Sequence, residues 1–405
     1  MRRVVVTGIG MINSVGNDKE SSFKAICEGE CGIDTITHFD PEKYSVKIAG
    51  EVKDFDPTTV MNAKEVKKGD RFIHLGLKAA QEAMTDANIP EGTDMDRFGT
   101  SAASGIGGLP SIEKTSVIIE TRGPRRISPF FIPGALVNML GGFVSIAHGT
   151  KGPNTSSVTA CAAGTHAISD ACKTIMTGGA DKMLVVAAEA AITGAGVGGF
   201  AAMKALSTRN DDPKASSRPF DKDRDGFVIG EGAAALVLET YEDAVARGAN
   251  IYAEIAGFGE SGDASHITTP SLDGPARAMR AAYKMAGEPK LDYVNAHGTS
   301  TAINDKNETI ALKELLGGAE NCPPMSSIKG QIGHSLGAAG GIEAVTCLMA
   351  MRDGVIPPTI NYTTPDENCD LDYVPNEARK AELNVVMSNS FGFGGTNGVI
   401  IFKKI

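Results

Sequence analysis

Three turns in this chain carry side chains that do chemistry when they meet. The first is Thr155–Gly164, TSSVTACAAG, where a short strand passes into a helix that begins near Cys161. A thiol at a helix N-terminus lies among free N–H groups and at the positive end of the dipole, which favours the nucleophilic thiolate. The second is Asn295–Thr301, NAHGTST, with His297 just past an apolar run, Leu291–Val294. That places it at the carboxyl end of a strand, where open sheets carry ligands. The third is Ser327–Gly337, SIKGQIGHSLG, which brings Lys329 and His334 on a glycine-rich turn. Glycines bracketing a histidine pack poorly and suit the close approach of a ligand. A lone cysteine is more often a small buried hydrophobe, and a lone histidine is more often structural. Three polar turns together point instead to a cysteine nucleophile assisted by histidines.

Other motifs imitate sites and fail on their own terms. Gly333-His334-Ser335-Leu336-Gly337 matches the GxSxG nucleophile elbow, whose histidine follows the serine and the acid along the chain. No histidine follows Ser335, so the hydrolase reading fails. Asp221–Gly226, DKDRDG, opens like a calcium loop, but Gly232 stands where the closing glutamate belongs, and a surface turn is expected. Gly8-Ile9-Gly10 follows an apolar start as in dinucleotide folds, yet Asn13 occupies the third glycine position.

The elements that must hold these turns are those of an α/β protein. Met183–Ala188 and Ala234–Leu238 are continuous apolar runs, as in strands covered on both faces. Asp70–Ile89 spaces Phe72, Ile73, Leu77, Ala80, Met84 and Ala87 at helical steps. Alternation of such segments predicts a parallel or mixed sheet. A faint internal repeat runs through the chain. Ser156-Ser157-Val158 leads a Gly/Ala-rich helical segment to Met176 and Gly178, and Ser326-Ser327-Ile328 leads another to Met351 and Gly354. The closing segments GEGAAALVLE from Gly230 and GGTNGVIIFK from Gly394 also correspond. Two similar halves are expected, 1–250 with the cysteine and 251–405 with the histidines and lysine, joined near Ala249–Ile251.

Composition narrows the class further. A 42% hydrophobic, 22% charged chain suits a large folded core and argues against disorder. No apolar run is long enough to span a bilayer. MRRVVVTGIG reads as a first strand, not a signal peptide, because its apolar stretch is short and broken by glycine. Seven scattered cysteines without a CxxC pair suit isolated thiols in a reducing, cytoplasmic setting. A formal net charge of −10 speaks against general nucleic-acid binding.

TACAAG at Cys161, NAHGTST at His297, GHSLGAAG at His334 and NSFGFGGTNG from Asn389 together resemble the β-ketoacyl-[acyl carrier protein] synthases. The resemblance spans the chain, including RPFDKDRDGFVIGEGA at Arg218–Ala233, and Gly199-Phe200 with Ala205–Asp211 is similar to the type II elongating enzymes more than to type I. It implies a thiolase fold, duplicated halves in five αβαβα layers, and a homodimer. The implied activity is a decarboxylative condensation of an acyl group with malonyl carrier protein, needing no metal and no organic cofactor. A type I synthase or a polyketide ketosynthase of the same fold is the alternative. Cys161 then takes the acyl chain from the carrier's phosphopantetheine, and His297 and His334 promote decarboxylation, supported by Lys329. The N–H groups of Cys161 and Phe393 form an oxyanion hole, and Phe393 in its turn with Phe391 is a gate. Thr299 and Thr301 hold the pantetheine arm, Ile106 and Phe200 line the acyl pocket, and Glu343 is a buried acid beneath the histidines. Ala302-Ile303-Asn304-Asp305 lacks the proline frequent after this HGTST motif, beyond the catalytic histidine.

The implied partner, acyl carrier protein, is acidic, so docking on this acidic chain needs a local basic face. Two segments offer one: Lys64, Lys67, Lys68 and Arg71, and Arg122, Arg125 and Arg126, with Lys204 close in sequence to the pocket. The resemblance matches Lys64, Lys67, Lys68, Arg125 and Arg126 to carrier-binding positions. No nucleic acid and no membrane insertion are expected.

Overall fold

Apolar runs without polar alternation become strands covered on both faces, and here they build one mixed sheet. In the computed structural model, which describes residues 2–405, ten strands join in it. The first five are β1 (Val4–Ile12), β2 (Phe98–Ala103), β3 (Asn154–Ser157), β4 (Lys182–Glu189) and β5 (Gly232–Thr240). The second five are β6 (Ala253–Gly262), β7 (Tyr293–Asn295), β8 (Met325–Ser326), β9 (Val385–Gly392) and β10 (Thr396–Lys403). Their spatial order is β8-β7-β9-β10-β6-β1-β5-β4-β2-β3.

That order reads alike from the centre outwards. β1 and β6 meet in a short antiparallel contact, Val5 opposite Glu254 and Val6 opposite Ala253. Outward of β1 lie β5 and then β4, both antiparallel to their inner neighbours, followed by parallel β2 and β3. Outward of β6 lie β10 and β9, likewise antiparallel, followed by parallel β7 and β8. The duplicated halves are therefore visible as repeated topology. The segments paired in the sequence repeat take equivalent places: β5 and β10 as second strands, and the two Gly/Ala-rich helices in the middle.

Helices close the layers. Arg71–Ala87 (α1) covers β1, β5 and β4, while Asp273–Met285 (α3) covers β6 and β10. Between the half-sheets lie Ala163–Met176 (α2) and Ala339–Asp353 (α4), packed on each other and on strands of both halves. A helix apolar all round must be buried, and every residue from Ala339 to Met351 is. On α2, Ala167, Ile168, Ala171 and Ile175 face the core, and burying each isoleucine contributes about 1.5–3 kcal/mol. The result is the five-layer αβαβα arrangement.

Two rejected motifs have physical explanations. Gly8 and Gly10 lie within β1, not at a turn after it, and a Cβ there would come within 2.3 Å of Ala83 O and 2.2 Å of Ala79 O. They are glycine because α1 crosses the strand at backbone contact. Asp221 is no surface turn residue. It is fully buried and accepts hydrogen bonds from the N–H groups of Thr363 and Thr364, both at 2.7 Å. Among the described residues no helix is long and apolar enough to cross a membrane.

Candidate active site

Cys161 lies at the head of α2, two residues ahead of the point where the α-helix itself begins. It occupies a short 3-10 turn, Ala160–Ala162, because Ala160 takes a left-handed φ of 50° and the α-helix can begin only at Ala163. Left-handed backbone at a non-glycine costs on the order of 1–3 kcal/mol and persists where neighbours over-determine it. Here the end of the β9–β10 hairpin clamps the turn: Thr396 Oγ1 donates to Thr159 O at 3.0 Å. A Cβ on Gly392 would come within 2.9 Å of that same carbonyl oxygen.

The thiol is 8% exposed, and the N–H groups of Phe393 and of Cys161 itself both reach it. The expected thiolate is not the resting form. Burial pushes the thiol up to about 12, with Glu189 acting in the same direction, while Lys329 and the two N–H groups pull it down. Desolvation outweighs the helix terminus because the sulfur is enclosed on every side.

His297 and His334 arrive from different elements. His297 follows β7, its N–H held by Glu308 Oε1 at 2.8 Å, with Gly298 N–H on Oε2 at 2.9 Å. His334 is fixed by an exchange of backbone bonds, its N–H to Val228 O at 2.7 Å and its O from Gly230 N–H at 2.9 Å. The rings meet edge to face with centroids 5.3 Å apart. Both histidines are held well below their ordinary value, His297 by burial, Lys329 and His334, and His334 by burial and Lys329. They are neutral imidazoles. Lys329, 1% exposed, donates to His297 O at 2.6 Å and pairs with Glu343 Oε1. Burial pushes Glu343 up, and Lys329 opposes it. Glu343 is thus a buried ion-pair partner of Lys329.

Cys161, His297 and His334 line one cavity of about 410 Å³. Thr299 and Thr301 line it too, their hydroxyls 2.9 Å apart, as do Phe200, Phe391, Phe393 and Lys204. Phe391 packs 5.5 Å from His297, and Phe393 lies 6.3 Å from Phe200. Ile106 shares an apolar cluster with Cys161 and Phe200 behind the cavity wall.

Of the basic residues, Lys64, Lys67, Arg122, Arg125, Arg126 and Lys204 are exposed. Lys68 pairs with Glu65 at 2.7 Å and stands 5.6 Å from the Phe130 ring, which brings the two basic segments together. Arg71 does not belong to that face. It is turned inward onto Glu231, at 2.7 Å, and Val52 O, at 3.0 Å.

Several supporting residues escaped the sequence reading. Glu308 and Asn389 brace the His297 turn, Asn389 Nδ2 donating to Glu308 Oε1 at 3.0 Å. Arg224 joins Asp366 at 2.7 Å and the carbonyl of Ala302 at 3.0 Å, fixing the chain around Thr301. Ile267 O accepts from Gly394 N–H at 2.7 Å, so a second loop leans on the Phe393 turn. Asn389, inside the NSFGFGG motif, and Arg224, inside the RPFDKDRDGFVIGEGA run, carried local signals. The others depend on contacts between segments remote in sequence.

Comparison with known proteins agrees with this geometry. Residues 1–244 match the family described as Beta-ketoacyl synthase, N-terminal domain, and residues 252–363 match Beta-ketoacyl synthase, C-terminal domain. The chain is 48% identical over 409 residues to the 3-oxoacyl-[acyl-carrier-protein] synthase 2 of Coxiella burnetii, covering 100% of this chain and 99% of the relative. It is 49% identical over 411 residues to the protein of the same name from Vibrio harveyi, with the same coverage. Among solved structures, a beta-ketoacyl synthase from Burkholderia phymatum STM815 superposes with a TM-score of 0.93 at 34% identity, covering 100% of both chains. A complex of a type II PKS acyl-carrier protein with its ketosynthase bound to the hexaketide has a chain with a TM-score of 0.90 at 33% identity, covering 100% of this chain and 99% of that one. A thiol and two neutral histidines in one cavity, with a buried lysine bonded to the turn of one of them, on a duplicated five-layer fold, are thus the features of a chain that belongs to the beta-ketoacyl synthase family.

Proposed function

We propose that Cys161, His297, His334 and Lys329 carry the two half-reactions of a fatty-acid-elongating 3-oxoacyl-[acyl-carrier-protein] synthase. The chain is a condensing acyltransferase. In the first half-reaction Cys161 sulfur attacks the thioester carbon of the acyl carrier. The sulfur–carbon bond to Cys161 forms, the bond to pantetheine breaks, and the thiol proton leaves with the pantetheine sulfur. The N–H groups of Cys161 and Phe393 bear the negative oxygen of the tetrahedral intermediate. In the second, malonyl thioester loses carbon dioxide, and its electron pair passes into an enolate whose oxygen accepts hydrogen bonds from His297 and His334. Neutral imidazoles suit this role, since each offers an N–H without first needing a proton. The enolate carbon then attacks the Cys161 thioester, and the sulfur departs and regains a proton. Splitting the condensation makes two easier acyl steps.

The observation that carries this reading is the convergence of one thiol and two neutral histidines in one cavity. Thr299 and Thr301 at its mouth suit the pantetheine amides, Phe200 and Ile106 suit the acyl chain, and the Phe391–Gly395 turn suits a gate. The identity to relatives named synthase 2 favours fatty-acid elongation over a polyketide role. Carrier docking on Lys64, Lys67, Lys68, Arg125, Arg126 and Lys204 is supported by the exposure of all but Lys68 and by the place of Lys204 on the cavity lining. The edge strand β3, with Ile146 and Val158 exposed beside it, suits pairing with a second copy. A boundary near residue 250 suits the separation of the halves at β6, and seven free cysteines suit the cytoplasm.

The test is condensation of acyl and malonyl carrier proteins with each half-reaction read separately. Cys161→Ala is expected to lose acyl-enzyme formation while remaining folded. His297→Ala and His334→Ala should retain it but release carbon dioxide at least 10²-fold more slowly, the loss typical of an oxyanion donor. An acyl-enzyme in Cys161→Ala would identify another nucleophile.

A further inference from the structure

At the carboxyl end of β4 stands Glu189, fully buried, whose carboxylate none of the steps above uses. Oε1 accepts from Ser104 Oγ at 2.8 Å, Ile106 N–H at 3.2 Å and Gly107 N–H at 3.3 Å. Oε2 accepts from Gly105 N–H at 2.7 Å and from Gly337 N–H at 3.0 Å. All five donors are neutral, so the charge is held by aligned dipoles.

These donors come from two functional loops. Ser104–Gly107 carries Ile106, which packs with Phe200 beside Cys161. Gly337 closes the His334 turn, next to Leu336, whose φ of 46° is left-handed. The loops touch at backbone level: a Cβ on Gly337 would lie 2.1 Å from Gly105 N and 2.8 Å from Glu189 Oε2. A Cβ on Gly105 would lie 2.8 Å from the same Oε2 and 3.5 Å from Ala160 O, beside the nucleophile.

We propose that Glu189 is a positioning residue that couples the acyl-pocket loop Ser104–Gly107 to the His334 turn, so that an acyl chain against Ile106 is felt at the histidine serving decarboxylation. The inference rests on the functional reading above. An acyl chain that displaces the Ser104–Gly107 backbone on meeting Ile106 moves the Ile106 N–H with it. Oε1 follows that N–H and Oε2 is rigidly joined to it, so the Gly337 bond must adjust. Two packed loops sharing one carboxylate form a contiguous element both sites can bias.

The experiment uses the full chain and reads carbon dioxide release from malonyl carrier protein with and without an acyl group on Cys161. The quantity of interest is the ratio of the two rates. Glu189→Gln turns an amide NH₂ onto N–H donors and is expected to lower the ratio about tenfold, within the usual range of coupling between sites. Glu189→Asp keeps the charge and should recover part of the ratio. Ser104→Ala, the mildest change, should lower it less and serves if Glu189→Gln fails to fold, as checked by thermal melting. A second readout is the pH profile of iodoacetamide alkylation of Cys161, which faces the charges of Lys329 and Glu189 and the neutral His297 and His334. Removing the carboxylate should move that profile to lower pH. A variant ratio equal to wild type, both rates falling in parallel, or an unmoved alkylation profile overturns the coupling. A wild-type chain that forms no acyl-enzyme overturns the functional reading itself.

Discussion

One lysine adds its charge to the effect of burial on three groups of the cavity. Lys329 lies where its positive charge pulls the Cys161 thiol down and disfavours a proton on His297 and on His334. It thereby favours a thiolate against the effect of burial and, together with burial, keeps two imidazoles neutral, as the proposed half-reactions require. The consequence is a pH dependence with a definite sign. An ordinary histidine gains its proton near pH 6.5, whereas these two are held well below that value, so acidification should reach them late. Decarboxylation by the acylated chain should stay level from about pH 8 to about pH 6 and fall only under more acid conditions. Carbon dioxide release measured across that range is the check, and a loss centred at pH 6.5 would contradict the placement. Cys161, His297, His334 and Lys329 were legible as residues because each stands in a glycine-rich turn. The direction of the thiol's shift was not, because helix-start reasoning saw the dipole and not the walls around the sulfur.

At the scale of elements, the Phe391–Gly395 turn is the hairpin between β9 and β10, with Gly394 and Gly395 at φ 83° and 69°. Left-handed glycines let such a turn change conformation at little steric cost. It is held on two sides, by Thr396 on Thr159 O at 3.0 Å and by Ile267 O on Gly394 N–H at 2.7 Å. Phe393 lines the cavity beside Phe200, so acylation of Cys161 should displace it and break the Ile267 contact. Crystal structures of free and acylated protein would reveal this, and identical turns in the two states would rule out gating. Gly395→Ala should destabilise the closed turn by about 1–3 kcal/mol, since its Cβ would strain a left-handed residue and lie 2.6 Å from Asp263 Cβ. Thermal or denaturant melting measures that loss. The glycines pointed to a tight turn with left-handed residues, whereas Ile267, from a segment with no motif, was invisible.

Across the whole molecule, charge is distributed against its own average. The chain carries a formal −10, yet Lys64, Lys67, Arg125 and Arg126 are exposed on neighbouring turns joined through Lys68 and Phe130. Such a face steers an acidic partner and weakens with salt. Reversal of Lys67, Lys68, Arg125 and Arg126 to Glu should raise KM for carrier-bound substrates about tenfold or more, with kcat little changed. A small pantetheine thioester should react as before. Equal losses with both substrates would assign the face to stability instead. Arg71 shows the limit of reading a basic run: its neighbours in sequence are solvated while it turns inward to Glu231, and only packing decides which way a side chain on a short helix points.

Spacing and composition pointed to a repeat, to the strands and to the cysteine and histidines that meet in one cavity, because backbone periodicity and glycine content are local properties. The repeat from Ser156 and Ser326 marked α2 and α4, and GEGAAALVLE and GGTNGVIIFK marked β5 and β10. Tertiary structure alone decided how deeply Cys161 is buried, that Glu308 holds the His297 turn, and that Glu189 ties the Ile106 loop to Gly337. Those facts depend on which segments meet across layers, and desolvation and hydrogen bonding act through space without regard to distance along the chain.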